Sequence, residues 1–211
     1  MASADEIYLT VNGKGGHAAL PGDCIDPVLI SASLLQNLQQ VVSRKAPPGV
    51  PTVLSFGKIN SAGGATNVIP DAVHLEGTFR TMDENWRKQA HQWIREICHQ
   101  TATALGGSCE VDIRVGYPSL FNAPDLTQRV KGYMMDILGE EQVVDLPKRM
   151  TAEDFAWYSH HVDACFYRLG TGNTDKGITS PVHTSTFDID ESALETGVAV
   201  MAWIALSELK R

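Results

Sequence analysis

Ile7-Tyr8-Leu9-Thr10-Val11-Asn12 runs directly into Gly13-Lys14-Gly15-Gly16-His17-Ala18-Ala19-Leu20-Pro21, and this stretch decides the fold. Ile7, Leu9 and Val11 alternate with Tyr8, Thr10 and Asn12, the period of a strand with one covered and one wet face. The glycines that follow free the backbone and leave His17 in a loop without bulky neighbours.

Downstream, Asp26 and Pro27 form a helix start, with Val28, Leu35, Leu38 and Val42 at helical spacing until Ala46-Pro47-Pro48 stops the run. Thr52 to Ile59 and Val73 to Arg80 read as an antiparallel pair joined through Ser61-Ala62-Gly63-Gly64. Asp83 caps a long amphipathic helix carrying Trp86, Ala90, Trp93 and Ile97, ended by Gly106-Gly107. Cys109, Val111, Ile113 and Val115 then alternate with Glu110, Asp112 and Arg114. The order is β-α-β-β-α-β, so residues 5–117 are expected to form a ferredoxin-like domain.

After Tyr117-Pro118 the pattern changes, and residues 118–211 are expected to form a second part. It reads as a helix from Asp125 to Leu138, a capping-box pattern at Thr151 to Asp154, an apolar strand through Cys165-Phe166-Tyr167, and a last helix from Asp190 with Leu194, Val198, Met201 and Leu209. One or two strands are too few for an independent sheet. The second part therefore reads as half of an α/β layer structure.

The chain has 211 residues, 43% of them hydrophobic, enough for real cores. Its net charge of −8, with no Lys/Arg cluster, disfavours nucleic acid and anionic membranes as partners. No apolar run approaches the roughly 20 residues of a membrane span, and Met1-Ala2-Ser3-Ala4-Asp5-Glu6 lacks the basic and apolar regions of a signal peptide, so a cytoplasmic location is expected. Cys24, Cys98, Cys109 and Cys165 are scattered, with no Cys-x-x-Cys pair, and are expected to be free thiols.

Four places carry candidate chemistry, each beside a plainer reading. His17 is either a presented catalytic group or a solvated loop histidine. Asn67, in Thr66-Asn67-Val68-Ile69-Pro70, fits an Asx turn or a substrate contact. Arg80 shares the polar strand face with His74, Glu76 and Thr78, where it is either ion-paired or a fork for a carboxylate. His183, in Ser180-Pro181-Val182-His183-Thr184-Ser185, is either a surface residue ahead of a helix or a metal ligand.

Taken in order, Gly15-Gly16-His17-Ala18-Ala19-x-Pro21, Asn67-Val68-Ile69-Pro70, Gly77-Thr78-Phe79-Arg80, Met150-Thr151-Ala152-Glu153-Asp154-Phe155 and His183-x-x-x-Phe187-Asp188 resemble the metal-dependent amidohydrolases, among them hippurate hydrolases, N-acyl-amino-acid deacylases and indole-acetyl-amino-acid hydrolases. The resemblance covers nearly the whole chain. It implies a ferredoxin-like lid and dimerisation domain followed by the C-terminal part of the catalytic domain. It also implies that His17 reaches the neighbouring subunit's site and stabilises an oxyanion, that Asn67 and Arg80 hold the substrate, and that His183 is a metal ligand. Gly170-Thr171 resembles a substrate-pocket loop, and the Glu153-Asp154 pair an acidic motif near the active site, although a capping box explains Thr151 and Asp154 equally well. Thr184-Ser185 replaces the frequent proline-containing version after His183.

In that family the other metal ligands and the catalytic glutamate lie upstream of the lid, in a half that this sequence does not contain. The expectation is therefore a portion of a longer enzyme that cleaves N-acyl amino acids or short peptide-like amides as a homodimer through the lid. Its divalent ion would be zinc, manganese, cobalt or nickel, with none held tightly by this chain alone. The competing expectation is a non-catalytic dimerisation or interaction module derived from the same family.

Overall fold

Strand β1 (Asp5–Asn12) follows the alternation of its sequence, with Ile7, Leu9 and Val11 buried. The computed structural model describes residues 1–61 and 63–210; Ala62, in the glycine-rich connection, and Arg211, at the end of the second part, lie outside the described residues. Helix α1 (Pro27–Gln40), β3 (Thr52–Ser61), β5 (Ala72–Thr81), α2 (Glu84–Ala104) and β6 (Ser108–Val115) complete the β-α-β-β-α-β unit. Two short strands, β2 (Gly16–His17) and β4 (Val68–Ile69), form a separate ribbon.

The main sheet is antiparallel in the order β3-β5-β1-β6, with Leu9 opposite both Leu75 and Val111. One face carries Ile7, Leu9, Val11, Val73, Leu75 and Phe79 into the core beneath the two helices. The other carries Glu6, Tyr8, Thr10, His74, Glu76 and Thr78, as period-2 strands with one covered face require. Each fully buried Leu, Ile or Phe contributes about 1.5–3 kcal/mol, so this face holds the unit together.

Both long helices start where the sequence places them, but their inner stripes are rotated. The Asp26 carboxylate accepts from Val28 N and Leu29 N, yet Val28 is 46% exposed, and Ile30, Leu34, Leu38 and Val41 form the buried stripe. Contact with the sheet sets that phase, whereas capping sets only where the helix starts. In α2, Asp83 accepts from Trp86 N, and Trp86, Ala90, Ile94, Cys98 and Ala102 repeat every four residues on the buried side. Trp93 and Ile97 only flank that stripe.

The chain divides into two compact units, Met1–Leu120 with Lys148–Trp157 and Phe121–Pro147 with Tyr158–Arg211. Lys148–Trp157 is tied to the first unit by Ala2 N donating to Thr151 O and Arg80 Nη1 donating to Met150 O. In the second unit α3 (Pro124–Leu138) and α5 (Ser192–Leu209) share a small core of Val130, Met134 and Val200. Arg129 clamps Glu208 with two bonds of 2.7 and 2.8 Å, and Tyr133 adds a third at 3.1 Å.

Two expectations for this half are corrected. Helix α4 (Ala156–Ser159) begins too late for Thr151 and Asp154 to be its capping box. Cys165-Phe166-Tyr167 forms no strand; Asn122 takes the place of a neighbouring strand, accepting from Phe166 N and donating to Phe166 O, both at 2.9 Å. Helix α5 is by length and composition long and apolar enough to cross a membrane, with a mean hydropathy of 1.3 over its 18 residues. Its apolar residues surround the helix, with Glu195 and Glu208 near its ends, so the sum passes where no continuous apolar run exists.

Candidate functional site

The loop after β1 needs its glycines for close approach: a Cβ on Gly13 would stand 2.1 Å from Ile25 O. That approach lets the chain turn back, so that β2 pairs with β4 and His17 lies opposite Val68. Ala18 N donates to Asn67 O at 2.9 Å. His17 and Asn67, fifty residues apart in sequence, thus become neighbours on one ribbon. The ring of His17 is exposed, and its Nδ1 accepts from Ala19 N at 3.1 Å. Because Nδ1 is an acceptor, the neutral ring carries its proton on Nε2, where it can be donated outward.

Arg80 lies at the other end of the same unit. It is half-buried on the polar strand face, and Nη1 donates to Met150 O at 3.2 Å. Its guanidinium lines a cavity of about 510 Å³ together with Glu6, Thr78, Arg114 and Tyr117. Arg114 is held by Asp112 at 3.2 Å and stacks over the Tyr8 ring at 4.3 Å, while Glu6 accepts from Tyr8 Oη. Strand β5 separates Arg80 from the His17–Asn67 ribbon: at about 3.3 Å per residue, Ala72 to Arg80 alone spans about 26 Å.

Glu153 and Asp154 belong to the first unit, in the turn before α4, where Ala156 N donates to Glu153 O and Trp157 N to Asp154 O. Gly170, Thr171 and His183 belong to the second. There, Thr171 O accepts from Asp190 N, while the Asp190 carboxylate takes bonds from Asn173 Nδ2, Lys176 Nζ and Ser192 N. These bonds, that of Lys176 first, hold the Asp190 carboxyl far below the usual carboxylate range. Asp190 therefore fastens the Gly170-Thr171 loop to the start of α5. His183 is exposed and adopts φ +66°, a backbone conformation enriched in His, Asn and Asp but costly for most side chains. Its loop is closed by Ser180 Oγ with Thr186 Oγ1 at 2.9 Å and by Thr184 Oγ1 donating to Pro181 O at 2.8 Å.

A buried charge cluster was not foreseen from the sequence. Asp5, on β1, accepts from Arg87 through Nε at 3.0 Å and through Nη2, and bonds His91 Nε2 at 2.7 Å. Arg87 also donates to Glu84 at 3.0 Å and to Gly116 O at 3.1 Å. Burial pushes the Asp5 carboxyl up, but the bonds from His91 and Arg87 and the Arg87 charge outweigh it and hold it below the ordinary value. The cluster joins the start of β1 to the end of β6, at the base of the unit that carries Arg80. Spacing gives no signal for it, since Asp5, Arg87 and His91 each read as surface residues.

The chain belongs to peptidase family M20/M25/M40, whose sequence profile matches residues 6–207. A Synechocystis sp. protein described as a probable hydrolase is 37% identical over 205 residues, 97% of this chain and 52% of that protein. Thermostable carboxypeptidase 2 of Saccharolobus solfataricus is 34% identical over 98% of this chain and 52% of its own length. The crystal structure of the Bacillus subtilis YXEP protein, described as a dinuclear metal binding peptidase of the M20 family, superposes with a TM-score of 0.77 at 26% identity, covering all of this chain and 51% of that one. The chain spans about half the length of the relatives it matches.

Catalytic zinc usually takes three protein ligands. Among the described residues, no group of three or more His, Cys, Asp or Glu side chains could hold a metal ion. His183 supplies one candidate donor, and the residues described do not by themselves fit a resident metal.

Proposed function

We propose that this chain is the substrate-gripping part of an amidohydrolase that cleaves N-acyl amino acids or similar carboxylate-bearing amides, and that it works as a homodimer paired through its β-α-β-β-α-β unit. The separation along β5 carries this reading. The strand from Ala72 to Arg80, about 26 Å long, runs between the ribbon that carries His17 and the end that carries Arg80, which favours their serving different sites of a dimer. Two copies can supply them to one site, His17 from one and Arg80 from the other, in a two-fold arrangement that builds two such sites.

Arg80 offers a planar fork to the substrate carboxylate at one wall of a polar cavity. His17 offers Nε2–H to the amide carbonyl oxygen as it gains charge, and Asn67, its neighbour on the ribbon, orients the same end of the substrate. In the second unit, Gly170 and Thr171 line the substrate pocket and His183 serves as a metal ligand in the longer enzyme; Glu153 and Asp154 serve as its supporting acidic pair. The base that activates water is not among the residues assigned here.

The test is made on a full-length relative that carries these same motifs. Arg80→Ala should raise KM and lower kcat/KM for N-acyl amino acids by about 2–4 kcal/mol, the worth of a charge-assisted bidentate contact. The same substrates with the carboxylate amidated should show little further loss. Equal losses on acid and amide would remove Arg80 as the carboxylate anchor.

A further inference from the structure

The cavity beside Arg80 is also lined by Glu6. On β1, Glu6 lies opposite Thr78 of β5, which makes it the diagonal neighbour of Arg80 on the polar face, about 7–8 Å away. Thr78 does not bridge the two charges, because its hydroxyl donates to Asp5 O at 3.0 Å. The Glu6 carboxylate accepts from Tyr8 Oη at 3.0 Å, a neutral donor that steadies it without cancelling its charge.

The cations around Glu6 are committed elsewhere. Arg114 stands directly opposite it on β6, yet its guanidinium turns along the strand to Asp112 at 3.2 Å and lies over the Tyr8 ring at 4.3 Å. Lys58, which shares a second hollow of about 400 Å³ with Glu6, pairs with Glu76 at 2.6 Å. Arg87 is taken by Asp5 and Glu84, so the Asp5 carboxylate at the cavity wall is already neutralised. Among the described residues, neither Glu6 nor Arg80 has an opposite charge within ion-pair reach, although both line one cavity. A ligand with a negative and a positive end satisfies both.

We propose that Glu6 sets the substrate preference: while Arg80 holds the carboxylate, Glu6 takes an ammonium at the end of the substrate's side chain, so the preferred amides are N-acylated amino acids with a basic alkyl side chain. The inference rests on the reading of Arg80 as the carboxylate anchor. Lysine carries its ammonium on a stem of about four carbons, long enough to cross the diagonal from Arg80 to Glu6. An apolar side chain of the same length leaves the Glu6 carboxylate with water and Tyr8, and an acidic side chain meets repulsion there. Because Glu6 is exposed, the gain is that of a solvent-screened pair, about fivefold.

A full-length protein that carries this sequence, assayed on the Nα-acetyl and Nα-benzoyl derivatives of lysine, norleucine and glutamate, tests this. In the wild type, kcat/KM for lysine should exceed that for norleucine about fivefold and that for glutamate by more, and added salt should shrink the difference. Glu6→Gln should bring the lysine-to-norleucine ratio to about one, and Glu6→Lys should favour glutamate over lysine. Arg80→Ala should lower kcat/KM for all three. A wild-type ratio of one or below, or a ratio that Glu6→Gln leaves at its wild-type value, would overturn the inference and leave the reading of Arg80 standing. No cleavage of any derivative would overturn both.

Discussion

The two units solve the problem of a core differently. In the first, two helices cover one face of a four-stranded sheet, and the apolar side chains of β1 and β5 meet those of α1 and α2. In the second, the core is three buried side chains, while Leu194, Val198, Met201, Leu206 and Leu209 of α5 stand exposed by half or more. A helix apolar all round is normally buried. The difference teaches that the first unit is closed by its own sequence, whereas the second presents a surface suited to a further layer. We propose that this layer is the remainder of the longer protein, since the chain covers about half the length of its relatives.

That contrast can be broken by measurement. The largest effect is expected at the buried charge cluster: Asp5→Asn leaves Arg87 without its main partner and should cost about 3–5 kcal/mol in urea unfolding of the first unit. Leu34→Ala, in the covered stripe of α1, should cost about 2–5 kcal/mol. Acid should weaken the same unit. The Asp5 carboxyl is depressed when folded, so its contribution is present above the unfolded value near 3.8 and is lost as pH falls through the folded one. Asp5→Asn should flatten that acid limb. The smallest effect should come from Val198→Ser on the exposed side of α5, within about 0.5 kcal/mol in this chain. In a full-length protein that carries this sequence, the same change should cost several times more. A large effect already in this chain would mean that α5 is covered without that remainder.

The sheet was legible because alternation is written into Ile7 to Asn12 and Cys109 to Val115, and a one-residue slip would expose every apolar side chain. What escaped is non-local. The β2–β4 ribbon is two residues long on each side and held by backbone bonds, so periodicity carries no trace of it. Consequently the neighbourhood of His17 and Asn67 could be expected only through resemblance, and their distance from Arg80 not at all. Val28 was misplaced because capping fixes where α1 starts, not which side faces the sheet. Phe166 has strand-like neighbours in sequence, but its backbone is satisfied by Asn122, a partner that no local pattern announces.

The central claim, that one site draws His17 from one copy and Arg80 from the other, is tested most directly by mixing two impaired variants and assaying well below KM. His17→Ala and Arg80→Ala are prepared separately in a full-length relative that carries these motifs, then allowed to exchange subunits, with exchange verified by mass. Random pairing makes about half the dimers mixed, each with one site that has both groups, so about a quarter of wild-type activity should return. Verified exchange with no recovery would place both residues in the same copy's site and contradict the account.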